Sequence, residues 1–191
     1  DGFDVLATMR DETMDLQTPV IVLTSKRLTE EDMLRLNQGM ASVLSKGVFS
    51  AEETLDHIEA ALDHTLQPES EAHRIVLQAI AYVHTHYGES LTRQDIASYV
   101  NVSNRHLNRC FKEEMDITPI TYLNRYRIKE AKRLLATTQR PITEIGREVG
   151  SASSGYFTGD FQNETEAAPS DERRGLFDDA ASIPEASRYL E

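Results

Sequence analysis

Thr92-Arg93-Gln94-Asp95-Ile96-Ala97-Ser98-Tyr99-Val100-Asn101-Val102-Ser103-Asn104-Arg105-His106-Leu107-Asn108-Arg109-Cys110-Phe111-Lys112 reads as a short helix, a turn and a second short helix. Thr92 is an N-cap residue ahead of Ile96, Ala97 and Val100, which recur at helical spacing. Ser103 caps the next helix, which carries Leu107, Cys110 and Phe111. The arrangement returns further along the chain. Ile96 and Val100 correspond to Ile145 and Val149 at an offset of 49. Leu107, Phe111, Glu114 and Pro119 correspond to Phe157, Phe161, Glu164 and Pro169 at an offset of 50. Between the copies, Thr118-Pro119 opens a long helix through Leu135, with proline at its favoured first position. Pro141 and Ile142 lead into the second copy, whose last helix holds Tyr156, Phe157 and Phe161. A tandem of this kind is more informative than either copy alone.

Upstream, residues 73–87 place Ile75, Val76, Ala79, Ile80, Val83 and Tyr87 on one helical stripe, with Gly88 as a natural stop. Gln67-Pro68-Glu69-Ser70-Glu71 is polar, carries a proline and reads as a linker. The segment before it alternates helix and strand. Residues 4–10 have helical spacing. Pro19-Val20-Ile21-Val22-Leu23-Thr24 reads as a buried strand, and Ser42-Val43-Leu44-Ser45 as a second. Thr29 with Asp32 looks like a helix start ahead of Leu34 and Leu36. Ser50 with Glu53 makes a capping box for a helix expected to bury Leu55, Ile58 and Leu62. Parallel strands joined by helices imply a doubly wound sheet, and two strands are too few for one. The expectation is a segment that begins inside a domain.

The 191 residues carry a net charge of −12, which at first argues against phosphate-rich partners. The charge is uneven. Residues 1–72 are at −10, residues 73–174 at +1 and residues 175–191 at −3. The longest aliphatic run, residues 20–23, is far short of the ~20 apolar residues of a membrane span. A single cysteine, Cys110, excludes an intrachain disulfide and a cysteine-rich zinc site. With no leader peptide legible, a cytoplasmic setting is expected. His84 and His86 diverge on their helix, and His57 and His64 stand about 10 Å apart, so no metal site is expected. No nucleophile–base spacing and no phosphate-binding glycine loop is present, so no enzyme is expected.

The helix after Ser103 divides its faces. Leu107, Cys110 and Phe111 point inward, while Arg105, Asn108, Arg109 and Lys112 recur at i, i+3, i+4 and i+7 on another face. Arginine can bond guanine O6 and N7 together, and asparagine can bond adenine N6 and N7. Ser103, Asn104 and the helix N-terminus offer a phosphate contact. Double-stranded DNA read in the major groove is one meaning of this face. A solvated polar face is the other.

Residues 73–174 resemble the AraC/XylS-type DNA-binding domain. The stretches that carry the resemblance are Gln94-Asp95-Ile96-Ala97-Ser98-Tyr99-Val100-Asn101-Val102-Ser103 and Leu107-Asn108-Arg109-Cys110-Phe111-Lys112. Tyr122-Leu123-Asn124-Arg125-Tyr126-Arg127-Ile128-Lys129-Glu130-Ala131 matches the linking helix, and Pro141-Ile142-Thr143-Glu144-Ile145 with Glu148-Val149-Gly150 matches the second entry. The resemblance implies base contacts from the second helix of each unit, hence from Arg105, Asn108 and Arg109. The second copy departs from the pattern. Ser151 replaces a usual aromatic residue, and Gly155, Thr158 and Gly159 stand where Arg105, Asn108 and Arg109 stand in the first, with Asp160 beside them. Two helix glycines cost roughly 1–2 kcal/mol. Glu166, Glu172 and Asp116 also replace family residues, Glu166 and Asp116 standing where glycine is usual. Weak contacts from Ser153, Ser154 and Thr158 are the most the second unit is expected to make.

Residues 1–66 resemble the second half of a response-regulator receiver domain. Asp1-Gly2-Phe3-Asp4-Val5-Leu6, the run from Pro19 to Thr24, and Val43-Leu44-Ser45-Lys46 carry the resemblance. It implies that Thr24 and Lys46 contact a phosphoryl group, whereas the phosphoacceptor and the Mg²⁺-binding acidic pair of that family would precede residue 1. No cofactor is therefore expected in this chain, and Mg²⁺ only in a complete receiver. Val43 occupies the aromatic switch position and Gly47 a common proline position, which points to atypical switching.

The fold expected is mainly α: two tandem helix-turn-helix units joined by a long helix, preceded by a truncated α/β, flavodoxin-like receiver segment. Its parts are residues 1–66, a linker at 67–72, a DNA-binding domain at 73–174 and an acidic tail at 175–191. Within the domain the first unit spans about 92–112, the linking helix about 119–136 and the second unit about 142–163. The function expected is a two-component transcription regulator that reads DNA mainly through its first unit. A sensor histidine kinase and a second copy of the chain are the further partners expected, and no membrane. The alternative is an interaction or dimerisation module on an eroded frame.

Overall fold

Two parallel strands and eight helices make up the described part of the chain. The computed structural model describes residues 5, 20–29, 31–32, 36, 41–63, 70–151 and 153–181, with backbone alone at 41–42, 60–63, 154 and 176–181. The strands are β1 (Val20–Thr24) and β2 (Ala41–Ser45). The helices are α1 (Ala51–Asp63), α2 (Glu71–His86), α3 (Arg93–Tyr99), α4 (Asn104–Met115), α5 (Pro119–Thr137), α6 (Ile142–Glu148), α7 (Ser154–Thr165) and α8 (Pro169–Ala181). Contacts gather the chain into two units. One holds Asp1–Tyr87 and Leu91–Tyr126, the other Gly88–Ser90 and Arg127–Glu191.

In the first unit β1 and β2 pair in parallel, with Val20 opposite Ala41 and Thr24 opposite Ser45. Val43 and Leu44 are buried, but Leu23 is 45 % exposed and Val20, Ile21 and Val22 are only half-buried. The expected fully buried first strand is thus corrected: among the described residues β1 is paired along one edge only. Ser50 and Glu53 do form a reciprocal cap, Glu53 N–H donating to Ser50 Oγ and Ser50 N–H to Glu53 Oε2. Leu55, expected inside, is 60 % exposed, and Ile58 is half-buried. Residues 4, 6–10, 34 and 62, also read from the pattern, lie outside the described residues or side chains.

Helix α2 begins at Glu71, two residues earlier than the stripe suggested. The linker residue Ser70 is its N-cap and accepts from His73 N–H. Its apolar stripe packs Ile75, Ile80 and Val83 at 1 % exposure or less. Helices α3 and α4 follow, with Thr92 and Asp95 making a capping box and Ser103 capping α4. The turn between them closes with Val102 N–H donating to Ala97 O and Asn101 N–H to Ser98 O. That pattern ends a helix through one left-handed residue, here Asn101 at φ 56°. Leu107, Cys110, Phe111 and Met115 of α4 are buried with Ile96 and Ala97 of α3 and with Tyr122 and Tyr126 of α5. Burial pushes the Cys110 thiol up, against Arg109's opposing charge, so it stays protonated at neutral pH.

The second unit repeats this backbone. Ser151 N–H donates to Gly146 O and Gly150 N–H to Arg147 O, and Gly150 takes the left-handed conformation at φ 82°. Phe157 and Phe161 are buried, their rings 5.7 Å apart. Gly88 is absent from the left-handed residues, so the stop assigned to it needs another cause. A Cβ at Gly88 would lie 2.7 Å from the Glu148 carbonyl oxygen, so glycine is there for close approach. Arg127 donates to Glu89 O at 2.7 Å, and Arg140 pairs with Glu144 and Glu148. Helix α8 continues through Gly175 to Ala181, so the expected tail boundary at 175 falls inside a helix.

The C-caps of α4 and α7 are Asp116 at φ 52° and Glu166 at φ 60°. Aspartate tolerates this conformation better than glutamate. Glu166→Gly should therefore stabilise the second unit by about 1 kcal/mol in urea unfolding, and Asp116→Gly should gain less. In the first unit Arg125 Nη1 pairs with Glu53 Oε1 at 2.9 Å. Burial opposes ionisation of Glu53, but the Ser50 N–H and the Arg125 guanidinium outweigh it and hold the carboxyl below the usual 4.5. A lowered value stabilises the fold above pH 4.5 and loses that stabilisation as pH falls through the folded-state value. Acid titration should loosen α1 below about pH 4.5 in the wild type and flatten in Glu53→Gln, measured by amide exchange in 51–59.

Candidate nucleic-acid interface

The burial of Leu107, Cys110 and Phe111 turns α4 so that Arg105 and Arg109 are exposed and Asn108 is half-buried between them. Arg105 makes no ion pair among the described residues. Arg109 Nε stands 3.6 Å from Glu113 Oε1, with both side chains more than half exposed, a weak surface pair. Asn108 Oδ1 is sheltered from solvent and has no hydrogen-bond partner. These three side chains form one cluster of donors on a helix anchored at both ends.

Three other residues from the sequence reading are placed differently. Lys112 folds back over the end of α4, its Nζ donating to the Asp116 carbonyl at 2.5 Å and standing 3.3 Å from Asp116 Oδ1. It closes the helix C-terminus rather than joining the arginine cluster. Asn104 donates to Gln94 Oε1 of α3 at 2.7 Å, and Gln94 in turn donates to Ser98 Oγ. Asn104 therefore ties the two helices together. Gln94 was not singled out from sequence, because a polar residue on an exposed turn gives no sign of its partner ten residues on. Ser103 spends its Oγ on the His106 N–H.

In α7 the matching positions expose no cation. Gly155 is exposed, with Ser153 Oγ 4.0 Å from where a Cβ would be, and Gly159 is half-buried with open space there. Thr158 is half-buried, Asp160 exposed, and Tyr156 72 % exposed. Ser153 caps the helix by accepting from Tyr156 N–H at 3.3 Å. Ser154 opens α7, and its side chain lies outside the described residues. Asp160 acts electrostatically on Arg127, whose pKa burial lowers.

Thr24 and Lys46 meet at the C-terminal end of the two strands, where Lys46 N–H donates to Thr24 O at 2.7 Å. Thr24 Oγ1 accepts from Lys26 N–H at 3.0 Å. Among the described residues no three of His, Cys, Asp and Glu gather as metal ligands, and no helix is long and apolar enough to cross a membrane. His84 is fully buried and hydrogen-bonded at both ring nitrogens, while His86 Nδ1 contacts Tyr82 O.

A family profile described as a helix-turn-helix domain matches residues 96–175. The HTH-type transcriptional activator RhaS of Klebsiella pneumoniae is 31% identical over 98 residues, which are 51% of this chain and 35% of that protein. The C-terminal domain of AraT, a response regulator from Geobacillus stearothermophilus, is 32% identical with a TM-score of 0.53. The match covers 64% of this chain and 98% of that one. A transcriptional regulator with an AraC-type DNA-binding domain from Chromobacterium violaceum is 31% identical, with a TM-score of 0.51, over 53% of this chain and 91% of its own. This chain carries an AraC-type helix-turn-helix domain. It spans about a third of the length of the curated relatives it matches. Within the AraC-type domain the matched region runs from Ile96 on α3 to Gly175 on α8, so it takes in the second half of α3 and all of α4, α6 and α7.

Proposed function

We propose that this chain is the DNA-binding part of a cytoplasmic transcription regulator of the two-component type. The observation that carries the reading is the exposed Arg105 and Arg109 with half-buried Asn108 between them, on the second helix of a capped pair inside an AraC-type domain. We read α3–α4 as the first helix-turn-helix unit and α6–α7 as the second, in tandem within a domain of residues 73–174. Helix α4 enters the major groove. Arg105 and Arg109 are placed to bond guanine edges, and Asn108 a neighbouring base. The N-terminus of α4, held in place by Ser103 and Asn104, meets the phosphates in this reading, and Lys112 adds positive charge near the backbone. The second unit contributes backbone contacts at most, from Ser153, Ser154 and Thr158, because its helix carries Asp160 and Glu164 and no Lys or Arg.

The two-component assignment is supported by the likeness to AraT and by Thr24 and Lys46 at one sheet end. In this reading residues 1–66 are part of a receiver, joined by a linker that ends at the Ser70 cap of α2. A sensor histidine kinase acts on the complete receiver, and a second copy of the protein pairs with it on DNA. No enzymatic step is assigned. A metal is assigned only to a complete receiver, and no step is routed through one.

A second reading has its own support. Tyr156, Gly155 and Asp160 give α7 an exposed face unsuited to phosphate, and the chain as a whole is at −12. An interaction module that has lost DNA binding would carry such a face.

Binding to the DNA upstream of the chain's own gene, at two salt concentrations with unrelated DNA as competitor, separates the two. Specific, salt-sensitive binding is expected in the wild type. Arg105→Ala and Arg109→Ala should each cost about 1–3 kcal/mol and relax sequence preference. Lys112→Ala should weaken all sequences alike. A folded chain that binds no DNA selects the interaction module.

A further inference from the structure

We propose that the α/β segment is latched to the helices of its unit through His84, and that this latch passes the state of the loop after β1 to α4. The inference rests on the regulatory reading above and names its route. Leu28 and His84 are both fully buried, and Leu28 N–H donates to His84 Nδ1 at 3.1 Å. A backbone N–H can only donate, so Nδ1 is the acceptor and the ring is neutral with its proton on Nε2. Nε2 then donates to Tyr122 Oη at 3.0 Å, and the ring stacks 4.0 Å from that of Tyr126. Tyr122 meets Phe111 of α4 edge-on at 6.1 Å and Phe49 of the α/β segment at 6.4 Å. One buried imidazole therefore joins the loop at 25–28 to the core face of α4.

Two outer contacts flank the latch. Arg27 Nη2 donates to Tyr87 Oη at 3.1 Å, its guanidinium lying 5.1 Å from the ring centroid. Arg125 pairs with Glu53 on the other side. Thr24 lies three residues before Arg27 and holds the loop through the Lys26 N–H. A change at Thr24 thus pulls on the same turn that seats Leu28. Withdrawing Leu28 would take a hydrogen bond from a buried ring nitrogen of His84, so the seated loop is the favoured position. The seated loop leaves Arg105 and Arg109 exposed. The segment then acts on α4 from behind, by bracing it, and does not cover the arginine face.

Hydrogen exchange of the full chain tests this without DNA. The variants are His84→Phe, which keeps an aromatic ring against Tyr126 but removes the hydrogen bonds to Leu28 and Tyr122, and Arg27→Ala, which removes the outer contact to Tyr87. In His84→Phe, exchange at 26–29 should rise about tenfold or more, with a several-fold rise across 107–115. Arg27→Ala should move both stretches in the same direction by less. Faster exchange at 26–29 with 107–115 unchanged, or no change in either, would overturn the proposal. If His84→Phe loses its helical signal, Arg27→Ala decides on the same two stretches. A wild-type chain that binds no DNA would count against the regulator reading, while the exchange result would still decide whether the latch exists.

Discussion

Four side chains of α4, Leu107, Cys110, Phe111 and Met115, have to be kept from water, and that need decides which way Arg105, Asn108 and Arg109 face. Everything proposed for the first helix pair depends on it. The caps at Thr92 and Ser103 and the left-handed turn at Asn101 fix where α4 starts. The buried apolar row then fixes its rotation, and Lys112 over Asp116 closes its end. Side chains held this way have little further ordering to undergo when a partner binds.

The second pair keeps the same backbone device with a different outer face. Gly150 stands for Asn101, Glu166 for Asp116, and Phe157 and Phe161 for Leu107 and Phe111. What the repeat does not keep is the cation set. Gly155, Thr158 and Gly159 offer neither charge nor reach at the positions of Arg105, Asn108 and Arg109. Packing and chemistry differ between the copies: the inward row is buried in both, and the outward row of α7 carries no Lys or Arg.

What sequence could show, and what it could not, follows from distance along the chain. Caps at Ser50, Thr92 and Ser103 were legible because donor and acceptor lie three residues apart. The inward rows of α2, α3 and α4 were legible from period alone. Leu55 misled because a lone helical pattern does not say whether a partner covers it. Gly88 suggested a helix stop by convention, whereas its reason is a carbonyl sixty residues away at Glu148. Lys112 shares the spacing of the arginines, yet it folds onto Asp116 at the end of its own helix, and Asn104 reaches Gln94 on α3, contacts that spacing does not reveal. His84 gave no sign of its role, because its partners are a backbone amide at Leu28 and a phenol at Tyr122.

The central claim is that one helix, α4, does the base reading. A base-by-base substitution scan of the bound DNA, with affinity measured for the intact chain at fixed salt, addresses it most directly. The account predicts one contiguous cluster of sensitive base pairs, each worth about 1–3 kcal/mol, with any further protected backbone indifferent to sequence. Two clusters of equal sensitivity would show that α7 reads bases despite Gly155 and Gly159, and would contradict the account.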